Sequence, residues 1–457
     1  MTIRTSLMKH QDRIVDFCDP LPHFGIFAGY GVGKSLAALS IIERKGWKVN
    51  LIISTKTAIQ STWPDQITEH SDFRYVKLLG DSKQKFRTLR DTMNRYRATY
   101  HNHPRRPVLI VLVNFDGVKN IFRFLTLMKP DSVILDESTK IKNIEALRTQ
   151  VMIAYGKLVL NRGVMTGFPI TDSPTEIYSQ IKFLDQGATF GNSYEAFLDT
   201  YFEKKKGRYV LKKGAAKKIF DKIKGFCIMI PESVIKLPPK VYKKIALDPT
   251  EEQTRLLDSL NNQFRLEFGK VQYSTKSIFA LTSKAMQICD GFVTDGRGNL
   301  SIVDTPKDEA MLDTFSEIGT KEKILIFTNY IWTVKKIHKL LSYYGYGVLT
   351  LYGDTEDPGK IVKVFQNSTK YNVLVSTLMK GNESVTLTNC HLGFYYSRDW
   401  SNDRYGNSQA RIRRKGSEKH GSIIYTDFLL RGTVEEVVHN GVDKKVNVVR
   451  ELKKFFS

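Results

Sequence analysis

Short runs of apolar, mostly β-branched residues recur along the chain, separated by longer stretches whose apolar positions follow a helical spacing. The runs lie at 50–54 (NLIIS), 108–113 (VLIVLV), 132–135 (SVIL), 324–328 (ILIFT), 346–351 (YGVLTL) and 372–376 (NVLVS). Unbroken apolar segments of this length suit parallel strands covered on both faces. Between them, 35–44 (SLAALSIIER) and 331–341 (IWTVKKIHKLL) carry the pattern of covering helices. Strand–helix alternation in both halves predicts an α/β chain of two tandem, doubly wound parallel-sheet lobes. A length of 457 residues accommodates this, at roughly 200 residues per core. The two prolines of Leu237-Pro238-Pro239-Lys240 stop regular structure and mark the boundary. The first lobe is expected over 1–236, with a basic, mainly helical insertion at about 190–236. The second is expected over 237–457, with a helical start at about 249–318, a sheet core at about 319–430 and a C-terminal helical segment.

Charge changes the picture more than composition does. Seventy Lys and Arg against 47 Asp and Glu leave a net charge of +23. Such an excess favours a polyanionic partner, nucleic acid or acidic lipid, because cations near phosphates release condensed counterions. No apolar run approaches the roughly 18–20 residues needed to cross a bilayer. The polar first thirteen residues do not read as a signal peptide, so a cytoplasmic protein is expected, in a bacterium or a phage-infected host. Cys18, Cys227, Cys289 and Cys390 are scattered, without the spacing of a zinc site, and read as reduced thiols.

The chemistry begins at Ala28-Gly29-Tyr30-Gly31-Val32-Gly33-Lys34-Ser35, which follows an apolar segment and opens a helical one. This is the setting of a phosphate-binding loop: glycines turn backbone N–H groups toward phosphate oxygens, and the helix N-terminus adds partial positive charge. Ala28 replaces the usual first glycine. Gly31, Gly33 and Lys34 would cradle the phosphates of ATP, and the Ser35 hydroxyl would ligate Mg²⁺. The strand ending Val133-Ile134-Leu135-Asp136-Glu137 supplies the acidic partner. Asp136 would hold Mg²⁺, largely through water, and Glu137 would polarise the attacking water.

Together these segments resemble the superfamily-2 helicases and translocases, and within them the sucrose-non-fermenting (chromatin-remodelling type) ATPases. The similarity rests on 136–143 (DESTKIKN), 162–180 (RGVMTGFPITDSPTEIYSQ) and 237–240 (LPPK), continues through 323–330 (KILIFTNY) and 374–388 (LVSTLMKGNESVTLT), and ends near 409–416 (QARIRRKG). The resemblance implies RecA-like lobes, ATP and Mg²⁺ as cofactors, and DNA as a sequence-nonspecific partner. It implies an adenine contact at Gln11, nucleic-acid contacts at Thr55, Lys56, Ser376, Thr377 and Gly381, and coupling residues at Thr166 and Gly167. Trp63 follows the Thr55–Lys56 motif. Arg411 and Arg414 correspond to arginine fingers that stabilise transition-state charge. Departures are Asn407 where the family has Gln, a displaced Gln409, Glu383-Ser384-Val385 in place of Gly-Leu-Asn, and Phe168 in place of a small residue.

The implied activity is an ATP-dependent DNA translocase with helicase activity. The compact, basic chain resembles phage- or prokaryote-encoded enzymes acting on forks and four-way junctions in recombination, repair or replication, and nucleosome remodelling is not expected. An RNA helicase sharing the ATP core, a restriction-system motor and a non-catalytic basic DNA-binding protein with a vestigial ATP fold remain alternatives. The basic run at 204–224 reads either as a solvated face or as a DNA grip in which Phe202, Tyr209 and Phe220 interleave with the cations.

Overall fold

In the first half the apolar runs at 50–54, 108–113 and 132–135 become β2 (Val49–Ser54), β4 (Leu109–Asn114) and β5 (Ser132–Asp136), and the chain adds β1 (His23–Ala28), β3 (Arg74–Lys77) and β6 (Asn161–Thr166). Then come a short pair, β7 (Phe202–Lys205) and β8 (Arg208–Leu211), and finally β9 (Cys227–Ile230). The computed structural model describes residues 3–29, 31–100, 103, 106–170, 173–205, 208–268, 275–295, 298–381 and 386–443. The chain divides into two compact units, Met1–Ile235 and Lys236–Ser457.

The first unit is built on a seven-stranded sheet in the order β3-β4-β2-β5-β6-β1-β9. Each neighbouring pair is parallel. Side chains alternate between its faces: Leu51, Ile53, Val111 and Val113 join one apolar cluster, while Ile52, Ile110 and Leu112 join the other. Both faces are therefore dry, which is why these strands read as continuous apolar runs. The helix Lys34–Arg44 buries Leu36, Ala37, Ala38, Leu39, Ile41 and Ile42, a nearly all-round apolar surface suited to the interior.

The basic excursion is more than helical. After the helix Tyr194–Tyr201 the chain forms an antiparallel hairpin, with Phe202 opposite Leu211 and Lys205 opposite Arg208, and then the helix Ala215–Ile223. Strands of four residues, dense in cations, carry too little alternation to be legible in sequence. Phe197 anchors this excursion, its ring centroid 5.0 Å from Phe190, 5.3 Å from Tyr201 and 5.5 Å from Phe202. Phe202 is thus a packing residue, whereas Tyr209 and Phe220 stay exposed. β9, at the end of the excursion, is part of the main sheet and pairs with β1.

The second unit opens with β10 (Lys240–Leu247), directly after the two prolines. Helices Glu251–Phe268, Thr275–Cys289 and Pro306–Ile318 follow, with a small hairpin of β11 (Phe292–Thr294) and β12 (Leu300–Ile302) inside the stretch read as helical. The sheet is completed by β13 (Ile324–Thr328), β14 (Val348–Leu351), β15 (Val373–Thr377), β16 (Leu392–Tyr395) and β17 (Ile423–Leu430), in the order β10-β17-β16-β13-β15-β14. Again Ile324 and Ile326 face one cluster, Leu325 and Phe327 the other. The helix Val434–Asp443 packs with Thr275–Cys289 in a separate apolar cluster, and residues 444–457 of the expected C-terminal segment lie outside the described residues. No helix among the described residues is long and apolar enough to cross a membrane.

Candidate functional site

Ala28 ends β1, Thr166 ends β6, Asp136 ends β5 and Ser54 ends β2, and these four strands are consecutive neighbours, all parallel. Their carboxyl ends therefore define one edge of the first unit, the edge where ligands of open α/β sheets bind. The loop after β1 turns through Gly31 (φ 74°) and Gly33 (φ 82°) into the helix Lys34–Arg44. Tyr30 lies outside the described residues. The Lys34 ammonium donates to the carbonyls of Ala28 (2.8 Å) and Gly29 (3.1 Å), so it is held across the loop. Ser35, partly buried, is in the first turn of the helix.

Gln11 is buried under this loop. Its amide donates to the Gly33 carbonyl (3.2 Å), and its oxygen accepts from the Met8 backbone N–H (2.9 Å). His10 Nε2 lies 2.9 Å from the Val32 carbonyl. A Cβ on Gly33 would stand 2.1 Å from Gln11 Nε2, in a backbone conformation that side chains rarely adopt. We expect Gly33→Ala to weaken binding of a fluorescent ATP analogue by tenfold or more. Gly46, with φ 68° but open space around it, should tolerate Ala without that loss.

The acidic pair lies one strand over from β6. The Asp136 carboxylate accepts three hydrogen bonds: from Ser54 Oγ (2.9 Å) and Trp63 Nε1 (2.9 Å) at Oδ2, and from the Glu137 N–H (3.1 Å) at Oδ1. Glu137 takes a left-handed conformation (φ 57°), which costs a non-glycine residue about 1 kcal/mol or more and is a form of strain found at functional sites. The segment after it is locked to the one after Thr166-Gly167. Ser138 Oγ donates to Gln180 Oε1 (2.7 Å), Ser179 Oγ to the Ile141 carbonyl (2.5 Å), and Lys142 pairs with Glu176 (3.2 Å). Thr166 and Gly167 are buried, and the Thr166 hydroxyl donates to the Phe168 carbonyl (3.4 Å), while the Phe168 ring is exposed.

Thr55 is partly buried, its hydroxyl accepting from the Ala58 N–H (3.3 Å), and Lys56 is exposed. Trp63, read with these two, is turned inward and fully buried. The structure thus brings together Gln11, Gly31, Gly33, Lys34 and Ser35, and sets Asp136, Glu137 and Thr166 along the same sheet edge. The bracket of Ser54 and Trp63 on Asp136 was not legible, since nothing in their spacing from Asp136 signals a shared carboxylate.

The remaining residues belong to the second unit. Ser376 and Thr377 close β15 with buried side chains, the Ser376 hydroxyl donating to the Thr377 carbonyl (3.0 Å). Gly381 ends the short helix Leu378–Gly381, and Glu383, Ser384 and Val385 lie outside the described residues. Arg411 is buried in the helix Asn402–Ile412. Arg414 donates to Thr386 Oγ1 (2.7 Å), and Arg413 to the Pro238 carbonyl (2.6 Å). Gln409, displaced from the family position, instead accepts from Lys240 (3.0 Å) and the Tyr242 hydroxyl (3.1 Å), tying this helix to β10. Beneath it Arg398 pairs with Asp427 and lies 3.8 Å over the Tyr405 ring. Burial opposes the Arg398 charge, but the Asp427 carboxylate more than offsets it and raises the pKa above the ordinary arginine value.

Two parallel-sheet α/β lobes, the first carrying a glycine-rich loop and an acidic strand end on one edge, define a helicase-like ATPase core. The SNF2-related domain model matches residues 20–291, and the helicase conserved C-terminal domain model matches 306–416. The chain belongs to the SNF2-related family. It is 21% identical to protein p41 of Acyrthosiphon pisum secondary endosymbiont phage 1, over 68% of this chain and 69% of that protein. It is 22% identical to the DNA repair and recombination protein RDH54 of Saccharomyces cerevisiae, over 73% of this chain but only 39% of the yeast protein. Among solved structures, the Sulfolobus solfataricus SWI2/SNF2 ATPase core in complex with dsDNA aligns over 97% of this chain and 92% of that one, at 17% identity and a TM-score of 0.44.

Proposed function

We propose that this chain is a Mg²⁺-dependent, DNA-stimulated ATPase that translocates on DNA and acts on branched DNA such as forks and four-way junctions. The observation that carries the reading is the sheet edge of the first unit, where Lys34 and Ser35 at the end of β1 and Asp136 and Glu137 at the end of β5 flank Thr166. The donor set fits the nucleotide and its metal: a loop of left-handed glycines with an ammonium held over it, a helix hydroxyl and an oriented carboxylate.

In this reading Lys34 would exchange its two loop carbonyls for β- and γ-phosphate oxygens, and Gln11, which braces the loop from beneath, is the proposed adenine contact. Ser35 and Asp136 would hold Mg²⁺, which would supply neutralisation of phosphate charge. Glu137 orients the attacking water and takes its proton. Arg411 and Arg414 are the proposed arginine fingers, cations that would stabilise the transition-state charge. Thr55, Lys56, Ser376, Thr377 and Gly381 lie on the segments proposed to track the DNA backbone. Tyr209 and Phe220, exposed among lysines, extend that contact. The name of the yeast relative, a DNA repair and recombination protein, and a net charge of +23 favour DNA as the polymer.

The test is steady-state ATP hydrolysis with no nucleic acid, single-stranded DNA, linear duplex, a fork, a four-way junction and duplex RNA. We expect the fork or junction to stimulate most. Equal stimulation by linear duplex would remove the branch preference, and stimulation by RNA alone would overturn the DNA assignment.

A further inference from the structure

The two side-chain donors that hold Asp136 Oδ2 stand at either end of the segment expected to touch DNA. Ser54 is the last residue of β2 and Trp63 the first of the helix Trp63–His70, and both side chains are buried. Between them run Thr55 and Lys56, then a π-helical turn, Ala58–Thr62. The turn is stitched to the start of the segment by Ile59 N–H to the Thr55 carbonyl (3.1 Å) and Ser61 Oγ to the Thr57 carbonyl (3.1 Å). Its outer side shows Lys56 and Gln60, and Lys77 reaches over to the Gln60 carbonyl (3.3 Å). A segment that exposes Lys56 and Gln60 is therefore bounded by two hydrogen bonds that converge on one carboxylate oxygen.

We infer that Ser54 and Trp63 are positioning residues through which DNA on the Thr55–Lys56 segment sets the Asp136 carboxylate, coupling nucleic-acid binding to the nucleotide site. This rests on the proposed DNA-stimulated ATPase reading. The physical basis is the π turn. It holds one more residue per hydrogen-bonded ring than an α turn, and such turns concentrate at functional positions. Tightening or loosening it rotates the residue that follows about the helix axis. That residue is Trp63, whose ring N–H either points at Asp136 Oδ2 or does not. Phosphates drawn to Lys56 and the N–H groups beside it favour one setting of the turn. Asp136 reads that setting as two donors in place, which fixes the orientation of its carboxylate. Coupling of this kind requires an element that both sites bias, and the segment between Ser54 and Trp63 is covalently part of one and hydrogen-bonded to the other.

The experiment compares wild type, Ser54→Ala, Trp63→Phe and the double variant. Hydrolysis is measured with and without saturating duplex DNA. DNA affinity is measured by fluorescence anisotropy with and without Mg²⁺ and a non-hydrolysable ATP analogue. By reciprocity the analogue must change DNA affinity by the factor by which DNA changes analogue affinity. We expect each single variant to cut that coupling factor, and the ratio of DNA-stimulated to DNA-free rate, at least about fivefold. The double variant should do little more, because both donors serve one oxygen. Ser54→Ala removes a single buried atom, so it keeps the test decisive if Trp63→Phe unfolds. A coupling factor within twofold of wild type in the folded variants would overturn the inference. So would rates that fall equally with and without DNA, which is the signature of a merely structural role. A wild-type enzyme indifferent to DNA would overturn the functional reading itself, an outcome distinct from a responsive wild type with unaffected variants.

Discussion

Replacing Lys34 with Ala is expected to lower ATP hydrolysis by about 10²–10³-fold, the cost of deleting one preorganised electrostatic donor from a transition state. Lys34 is the cation that the loop itself positions, through the carbonyls of Ala28 and Gly29. Without it those two acceptors and the phosphate charge lose the same partner, so ATP binding should weaken along with turnover. Glu137→Gln isolates the other half of the chemistry. The amide keeps the size of the side chain and leaves Lys34 untouched, but it cannot take a proton, and loss of a positioned base typically costs about 10²–10⁴-fold. Nucleotide affinity should survive in Glu137→Gln and fall in Lys34→Ala. Steady-state hydrolysis with a parallel titration of a fluorescent ATP analogue separates the two. Wild-type turnover in Glu137→Gln would show that another group orients the water.

Lys307→Met should destabilise the second unit by about 3–5 kcal/mol, the cost of leaving buried carboxylates without their cation. Lys307 is fully buried. It bonds to Glu435 Oε1 (2.5 Å) and the Tyr396 carbonyl (3.0 Å), and stands 3.7 Å from Asp290 Oδ1. Asp290 in turn accepts from Thr328 (3.2 Å), Thr333 (3.0 Å) and Ser397 (2.9 Å). Burial alone would lower the Lys307 pKa, but Glu435 and Asp290 reverse that and raise it. Burial also raises the pKa of both carboxyls, with Lys307 pulling them back down. In Lys307→Met that restraint is gone, so the fold binds protons at Asp290 and Glu435 more tightly than the unfolded chain does. Stability is then best retained at acid pH and lost as pH rises from the ordinary carboxylate range through the raised pKa values of the folded state. Urea unfolding followed by tryptophan fluorescence, at pH 5 and pH 8, should show the larger loss at pH 8. A loss below about 1 kcal/mol that does not depend on pH would show that the triad is not what holds these elements.

The contrast between the two sites explains what could be read in advance. The proposed nucleotide site is made of local motifs. Gly31 to Ser35 is one turn, and Asp136 and Glu137 are the end of one strand, so spacing alone identifies them. The triad joins residues from a helix end (Asp290), a helix start (Lys307) and the helix after β17 (Glu435), and no local pattern connects them. The helix Ser82–Tyr100 was illegible for a related reason. It buries only Lys85, Leu89, Met93 and Tyr96, a thin stripe in a polar, cationic stretch. β10 was hidden because its Lys-rich sequence describes an edge strand, and only the eight-residue parallel pairing with β17 makes it one.

Gln409 and Trp63 mark the same boundary inside the site. Both fall in motifs that resemblance assigns to function, yet the Gln409 amide is spent on Lys240 and Tyr242, and the Trp63 ring on Asp136. The amino-acid sequence by itself determined the α/β class, two lobes, the strands with two dry faces and the motifs that carry Lys34, Ser35, Asp136 and Glu137, the residues proposed for the phosphate chemistry. These follow from periodicity and from groups that act within a few residues of one another. Tertiary structure alone decided strand order, which sets Thr166 between the loop and the acidic pair. It also decided which polar side chains face one another across the sheet, because hydrogen bonds and ion pairs select partners by distance in space, and the 82 positions from Ser54 to Asp136 are invisible to any local pattern.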